Sequence, residues 1–158
     1  MNANSTDTGA KPRYRGAIFD QDGLLFDTEK VYQTAWVEAA KLQGVDIDAA
    51  LPRRFSGVGL KIIAEMSAAA YPALDVPRFC KTATSLAWNR QLDTTPEKKP
   101  GLMEMLQFCR SRGIKTAVAS SSIRKVVEHN LSAAGVREYF DAITTGEEVE
   151  HSKPAPGF

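Results

Sequence analysis

Asp20 and Asp22 stand one residue apart, directly after the short apolar run Gly16-Ala17-Ile18-Phe19. That run reads as a buried strand. Two carboxylates at the mouth of such a strand are costly to hold unless something neutralises or uses them. A divalent cation and a phosphoryl group would use both. Two further features have matching chemistry. Ser120 follows the apolar stretch Thr116-Ala117-Val118-Ala119, and Lys153 opens Lys153-Pro154-Ala155-Pro156. An anionic pair, a hydroxyl and a cation are the parts that phosphoryl transfer needs.

Each residue has an expected task. A carboxylate can attack phosphorus and form an acyl phosphate, and Asp20, nearest the strand, is the expected nucleophile. Asp22 would protonate the leaving oxygen and later take a proton from the attacking water. Crowding of like charges would separate the two carboxyl groups in acidity. Magnesium takes oxygen ligands and keeps several waters; Asp20 and the backbone carbonyl of Asp22 would supply two positions. Ser120, with Ser121 and the backbone N–H groups beside it, would hold phosphate oxygens at a helix start. Lys153 would offset the charge of Asp20 and phosphate together.

Plainer readings compete with these. Asp20 and Asp22 could serve as turn and capping residues, and Ser120-Ser121-Ser122 could only cap the next helix. Lys153 could be a solvated loop lysine. Asp27 reads as a cap or loop brace, and His129 and His151 as surface residues. A calcium loop wants Gly at its sixth position and Glu at its twelfth, where this chain has Leu25 and Val31. Gly57-Val58-Gly59 lacks a preceding strand and a third glycine, so it is no dinucleotide fingerprint. No Gly-x-Ser-x-Gly elbow occurs.

The elements that would carry these residues alternate. After the first strand, a helix starts at Asp27 or Thr28, carries Val31, Ala35, Trp36, Ala39 and Leu42, and stops at Gly44. A second helix runs over about Lys61 to Ala70, with Ile62, Ile63 and Met66 expected inward. A third begins at Pro77. The polar stretch Asp93 to Pro100 reads as a linker. Then comes a helix with Leu102, Met105, Leu106 and Cys109, closed by Gly113. A strand over Lys115 to Ala119 follows, then a helix with Val126, Val127 and Leu131, and a strand over Phe140 to Thr144. Strand–helix alternation argues for an α/β, Rossmann-like core with a parallel sheet and right-handed crossovers. In such sheets ligands bind at the carboxyl ends of the strands. The helical stretch between the first two strands is too long for a single crossover helix and reads as an inserted α-helical cap. The expected division is a disordered tail over 1–14, a core over 15–31 and 99–158, and the cap over 32–98.

The composition sets bounds. A length of 158 residues suits one domain with an insertion, and 43% hydrophobic and 25% charged residues are ordinary for a globular chain. A formal net charge of +1 gives no bulk argument for nucleic acid or membrane partners. No apolar run approaches the ~20 residues of a membrane span, and the polar N-terminus lacks a signal core. Cys80 and Cys109, without metal-ligand spacing, read as thiols of a reducing cytoplasm.

The whole arrangement resembles the haloacid dehalogenase-like superfamily, in its branch of small phosphatases and phosphohexomutases with a helical cap. The resemblance covers about Arg15 to Pro156. Its first motif, Asp-x-Asp-Gly-x-x-x-Asp, is met in full by Asp20 to Asp27; its second by Val118-Ala119-Ser120; its third, Lys-Pro-x-Pro, by Lys153 to Pro156. The resemblance implies Asp20 as nucleophile, Asp22 as acid and base, Ser120 and Lys153 as phosphate binders, Mg2+ as cofactor and a small phosphorylated substrate.

Two departures qualify what it implies. The family's acidic pair after a fourth strand, which completes its magnesium site, has no counterpart before Phe158. The expectation is a C-terminally truncated chain of doubtful turnover, whose first strand presents an open apolar edge. Mutase relatives carry Gly-Val-Ser-Arg in the cap, and the matching stretch here is Gly57-Val58-Gly59-Leu60. This favours hydrolysis of a phosphate monoester over phosphoryl shuttling. A phosphohexomutase, a receiver-like phospho-acceptor domain and a non-catalytic fragment are the alternatives.

Overall fold

The computed structural model describes residues 14–150 and Lys153. The expectations for residues 1–13, for His151 and for 154–158 lie outside the described residues. Three strands form one sheet in the order β1-β2-β3: β1 (Gly16–Phe19), β2 (Lys115–Ser120) and β3 (Ala142–Thr145). Both pairings are parallel, with Phe19 beside Val118 and Val118 beside Ile143. Between β1 and β2 lie α1 (Glu29–Lys41), α2 (Ala50–Arg53), α3 (Leu60–Ala70), α4 (Val76–Leu92) and α5 (Leu102–Ser111). Helix α6 (Arg124–Ala133) crosses from β2 to β3, and single 3-10 turns occupy Arg137–Tyr139 and Gly146–Glu148. This is the α/β class that the strand–helix alternation predicts.

Alternation along each strand decides which face is covered. Thr116, Val118 and Ser120 on β2 are buried, and Phe19 and Ile143 pack beside them. Leu102 and Leu106 of α5 and Val127 and Leu131 of α6 join the same cluster, with Phe26, Val136 and Phe140. Phe19 meets Phe140 edge-on at 6.0 Å. A second cluster is built from the helices alone. Trp36 sits 5.4 Å from Phe55 and 5.0 Å from Phe79, surrounded by Ala39, Ile63, Leu74 and Ala83. Helix α4 starts cleanly because Asp75 accepts from the Arg78 N–H at 3.1 Å and Pro77 lies in the first turn.

The contact between the two clusters is polar. Tyr32 of α1 reaches Ser122, Gln91 of α4 accepts from Asn130 of α6 at 2.7 Å, and Lys98 donates to the Ala134 carbonyl at 2.9 Å. Where the chain passes between the clusters, Asp27 N–H donates to Glu97 O and Lys99 N–H to Leu25 O, both at 2.9 Å. Lys99 also pairs with Asp27 at 3.1 Å, so Asp27 braces this crossing.

Several expectations need correction. β1 is not a buried strand, since Ile18 is 75% exposed; among the described residues it lies at the sheet edge, as the open apolar edge expected for it requires. Ile18 points to the face opposite Phe19, which neither α5 nor α6 covers, and the far side of β1 has no neighbouring strand among the described residues. Ile62, expected inward, is exposed, and so are Leu42 and Met105, two members of the helical apolar pattern. Thr28 precedes α1 but makes no capping bond with its side chain. Helix α2 was not anticipated. The carboxyl-terminal strand is shifted to Ala142–Thr145, because Phe140 belongs to the approach to the strand and Asp141 turns its carboxylate onto the Thr116 N–H at 2.9 Å.

Candidate active site

The carboxyl ends of β1 and β2 bring Asp20, Asp22, Ser120 and Ser122 together, and Lys153 reaches them from beyond β3. The turn after β1 is tight. Leu25 and Phe26 N–H groups both bond the Gln21 carbonyl, and Gly23 N–H bonds Phe26 O at 2.9 Å. Gly23 takes φ +80°, a left-handed conformation suited to glycine. Leu25 and Phe26 anchor the turn in the core at 1% and 0% exposure. Asp20 and Asp22 are thereby held at the sheet's rim, on either side of the buried Gln21.

Asp22 is the better enclosed of the pair. Thr28 Oγ1 donates to its Oδ1 at 2.8 Å, and Ser122 Oγ donates to its Oδ2 at 3.0 Å. Ser120 Oγ lies 3.4 Å from the same Oδ2 and accepts the Ser122 N–H at 3.1 Å. Tyr32 Oη sits 3.0 Å from Ser122 Oγ. Because Ser122 spends its proton on the carboxylate, the tyrosine hydroxyl is the donor in that contact. Burial pushes the Asp22 carboxyl above the ordinary aspartate value, and the charge of Asp20 adds to the rise; the bonds from Thr28, Ser122 and Ser120 pull the other way without reversing it. Burial, with the neighbouring Asp22 charge, pushes the Tyr32 hydroxyl up to about 12, so this group stays protonated at neutral pH.

Asp20 is tied differently. Lys153 Nζ lies 2.5 Å from its Oδ1 and donates to the Ala119 carbonyl at 3.0 Å. One cation thus spans the ends of β1 and β2. Ser121 is exposed at the turn. The sequence singles out Ser120 and Ser121, while the buried neighbour that meets Asp22 is Ser122. Thr28, Ser122 and Tyr32 were missed as members of the site. Thr28 and Tyr32 carry a faint signal, being one helical turn apart at the start of α1; nothing in the sequence alone links Tyr32 to Ser122.

The donor set bears on metal binding. Asp20 and the Asp22 carbonyl are hard oxygen groups at one rim, of the kind magnesium takes together with waters. Among the described residues, no group of three His, Cys, Asp or Glu side chains is gathered as a complete cation site. No helix among the described residues is long and apolar enough to cross a membrane.

Comparison with known proteins places the chain in a family. The sequence profile described as haloacid dehalogenase-like hydrolase matches residues 17–158. The phosphorylated carbohydrates phosphatase of Thermotoga maritima is 32% identical over 143 residues, covering 88% of this chain and 64% of the relative. A fructose-1-phosphate phosphatase of Escherichia coli is 32% identical over 145 residues, covering 91% and 76%. The chain thus spans about two thirds to three quarters of the length of these relatives. Among solved structures, CbbY from Rhodobacter sphaeroides in complex with phosphate superposes with a TM-score of 0.66 at 26% identity, covering 90% of this chain and 68% of that one. The β-phosphoglucomutase of Clostridium difficile, at 23% identity and a TM-score of 0.69 over 90% of this chain and 66% of its own, shares the fold. On its profile match and its phosphatase relatives, the chain belongs to the haloacid dehalogenase-like hydrolases.

Proposed function

We propose that this chain carries the phosphoryl-transfer site of a Mg2+-dependent phosphatase acting on small phosphate monoesters of the sugar phosphate class. The observation that carries the reading is the unequal treatment of two neighbouring carboxylates. Asp20 faces a lysine at 2.5 Å, while Asp22 is buried among hydroxyl donors and has its pKa pushed up, so that it is the weaker acid. One is kept available as a nucleophile, and the other is biased towards holding a proton. Pairs of carboxyl groups separated in this way divide naturally into nucleophile and acid.

In the first step a carboxylate oxygen of Asp20 attacks phosphorus. The ester P–O bond breaks, and the leaving oxygen takes the proton from Asp22. In the second step the now ionised Asp22 takes a proton from water as that water attacks phosphorus. The acyl phosphate P–O bond breaks, inorganic phosphate leaves, and both side chains return to their starting states. Ser120, Ser121 and the backbone N–H groups of that turn hold the non-bridging oxygens, and Lys153 offsets their charge. A magnesium ion bound by Asp20 and the Asp22 carbonyl would supply further charge neutralisation. The helical unit over 32–98 acts as a cap that limits water and selects the leaving group. Sugar phosphates are favoured because phosphorylated carbohydrates and fructose 1-phosphate figure in the names of relatives at 32% identity. The free Cys80 and Cys109 suit a reducing cytoplasm.

The test pairs turnover with trapping. Release of inorganic phosphate from a panel of sugar phosphates is expected to require Mg2+ and to vanish in Asp20→Asn. Beryllofluoride, a mimic of the acyl phosphate, is expected to occupy Asp20 in the unsubstituted protein. Wild-type turnover by a contamination-free Asp20→Asn preparation would end this reading.

A further inference from the structure

The loops that follow β2 and β3 are fastened to each other at a point away from the reacting carboxylates. Arg124, the first residue of α6, places its Nε and Nη2 each 2.6 Å from the two carboxylate oxygens of Glu148. Its Nη1 reaches Glu128 at 3.2 Å, its Nη2 also donates to the Ile143 carbonyl at 2.9 Å, and its backbone N–H meets Glu147 at 3.3 Å. Glu128 is shared with Arg137 at 2.6 Å. Glu148 in turn accepts the Thr145 N–H at 2.9 Å, so the carboxylate that grips α6 also closes its own turn.

A second fastening lies next to the first. Gly146 N–H donates to the Ser122 carbonyl at 3.3 Å. A Cβ at Gly146 would fall 2.6 Å from the Ser121 carbonyl oxygen and 3.1 Å from its carbon. Backbone therefore lies directly on backbone, at a distance no other residue type allows without a shift.

Stability is not what this ion pair supplies. Arg124 and Glu148 side chains are 36% and 37% exposed, and water screens a pair in that setting so that it adds little to stability. A two-pronged guanidinium–carboxylate contact instead fixes orientation. What it orients is the turn that leads to Lys153 on one side and the turn holding Ser120 and Ser122 on the other.

We propose that Arg124, Glu148 and Gly146 are positioning residues that lock the β3 loop onto the β2 loop, so that Ser120, Ser122 and Lys153 meet the Asp20–Asp22 pair as one preformed anion cradle. What the cradle binds rests on the function proposed above; the locking of the loops does not. Preformed donors cost no reorganisation when charge develops on the ligand.

The experiment uses the whole chain and its Glu148→Gln, Arg124→Lys and Gly146→Ala variants. Amide hydrogen exchange followed by NMR reads the coupling directly. In Glu148→Gln, exchange is expected to speed up by about tenfold or more both at Gly146 to Val149 and at Ser121 and Ser122, with Val118 and Leu131 unchanged. Arg124→Lys, which keeps the charge and loses the fork, is expected to fall between wild type and Glu148→Gln. Gly146→Ala attacks the contact sterically and should loosen the same two loops. Acceleration confined to Gly146–Val149 would overturn the proposal. A second arm titrates beryllofluoride with Mg2+ by fluorine NMR, and affinity is expected to fall about tenfold in Glu148→Gln and Gly146→Ala. If the unsubstituted chain takes no beryllofluoride, the role given to Asp20 fails, and the exchange arm still decides the locking.

Discussion

Replacing the proposed acid should make the protein more stable. Asp22 receives hydroxyl donors at 2.8, 3.0 and 3.4 Å, yet burial outweighs them and raises its pKa above the ordinary 3.8. Its charged form is therefore a net burden on the fold. Asp22→Asn removes that charge and its repulsion with Asp20, and keeps one acceptor oxygen for Thr28 or Ser122. Relief of this kind at functional sites is commonly worth about 0.5–2 kcal/mol. For a chain of this length each kcal/mol moves the midpoint by about 2–4 °C, so Tm should rise by about 1–8 °C at neutral pH in metal-free buffer. The sign with pH is fixed by linkage. A carboxyl group whose folded value is raised binds more protons in the folded state, so its penalty is absent below the unfolded value and grows as pH climbs through the raised one. The advantage of Asp22→Asn over wild type should accordingly shrink towards pH 3.8 and widen towards neutrality. Thermal unfolding of both proteins by circular dichroism across that range is the assay. A variant that melts at or below wild type near neutral pH, or whose advantage does not depend on pH, would refute the argument.

Two further outcomes follow from burial. Gln21 is fully buried, and neither of its amide atoms has a hydrogen-bond partner among the described residues; Gln21→Met should raise the urea midpoint by the equivalent of about 1–3 kcal/mol without changing the slope, and a lower midpoint would reveal a polar partner for the amide. Ile18→Lys, at a position 75% exposed on the edge strand, should leave stability within about 0.5 kcal/mol while reducing self-association in sedimentation velocity, and unfolding of the variant would show that the face is covered in solution.

Legibility of the sequence followed the physics of each signal. Helices α1, α3, α4, α5 and α6 and strands β2 and β3 were readable because their apolar periodicity and their Gly or Pro boundaries are local. The face each residue shows to the core was less readable. Ile18, Ile62 and Met105 have the right residue type for burial and no covering partner, which only the tertiary arrangement decides. Asp20, Asp22, Ser120 and Lys153 could be found because strand ends and helix starts converge on one rim in parallel sheets. Ser122 and Tyr32 could not. Their contact joins residues 90 positions apart, and a serine triplet looks alike at each position until the turn's geometry buries Ser120 and Ser122 and leaves Ser121 outside.

The hydrogen bonds around Asp22 also bear on how an anion would be received. Ser120 and Ser122 point their hydroxyl groups at Asp22 Oδ2, and these protons are among the donors a phosphoryl oxygen would seek at the rim. A hydroxyl has one proton to give. An arriving phosphate therefore competes with Asp22 for Ser120 and Ser122, and each bond it wins removes an interaction that favours the ionised carboxyl. The negative charge of the ligand acts in the same direction. Thr28 is set apart from this competition, since it bonds the other oxygen, Oδ1, from the start of α1. Anion binding would thus drive Asp22 further towards its protonated form while Thr28 keeps it oriented. The side chain proposed to deliver a proton would become most able to hold one when a phosphoryl group is present to receive it.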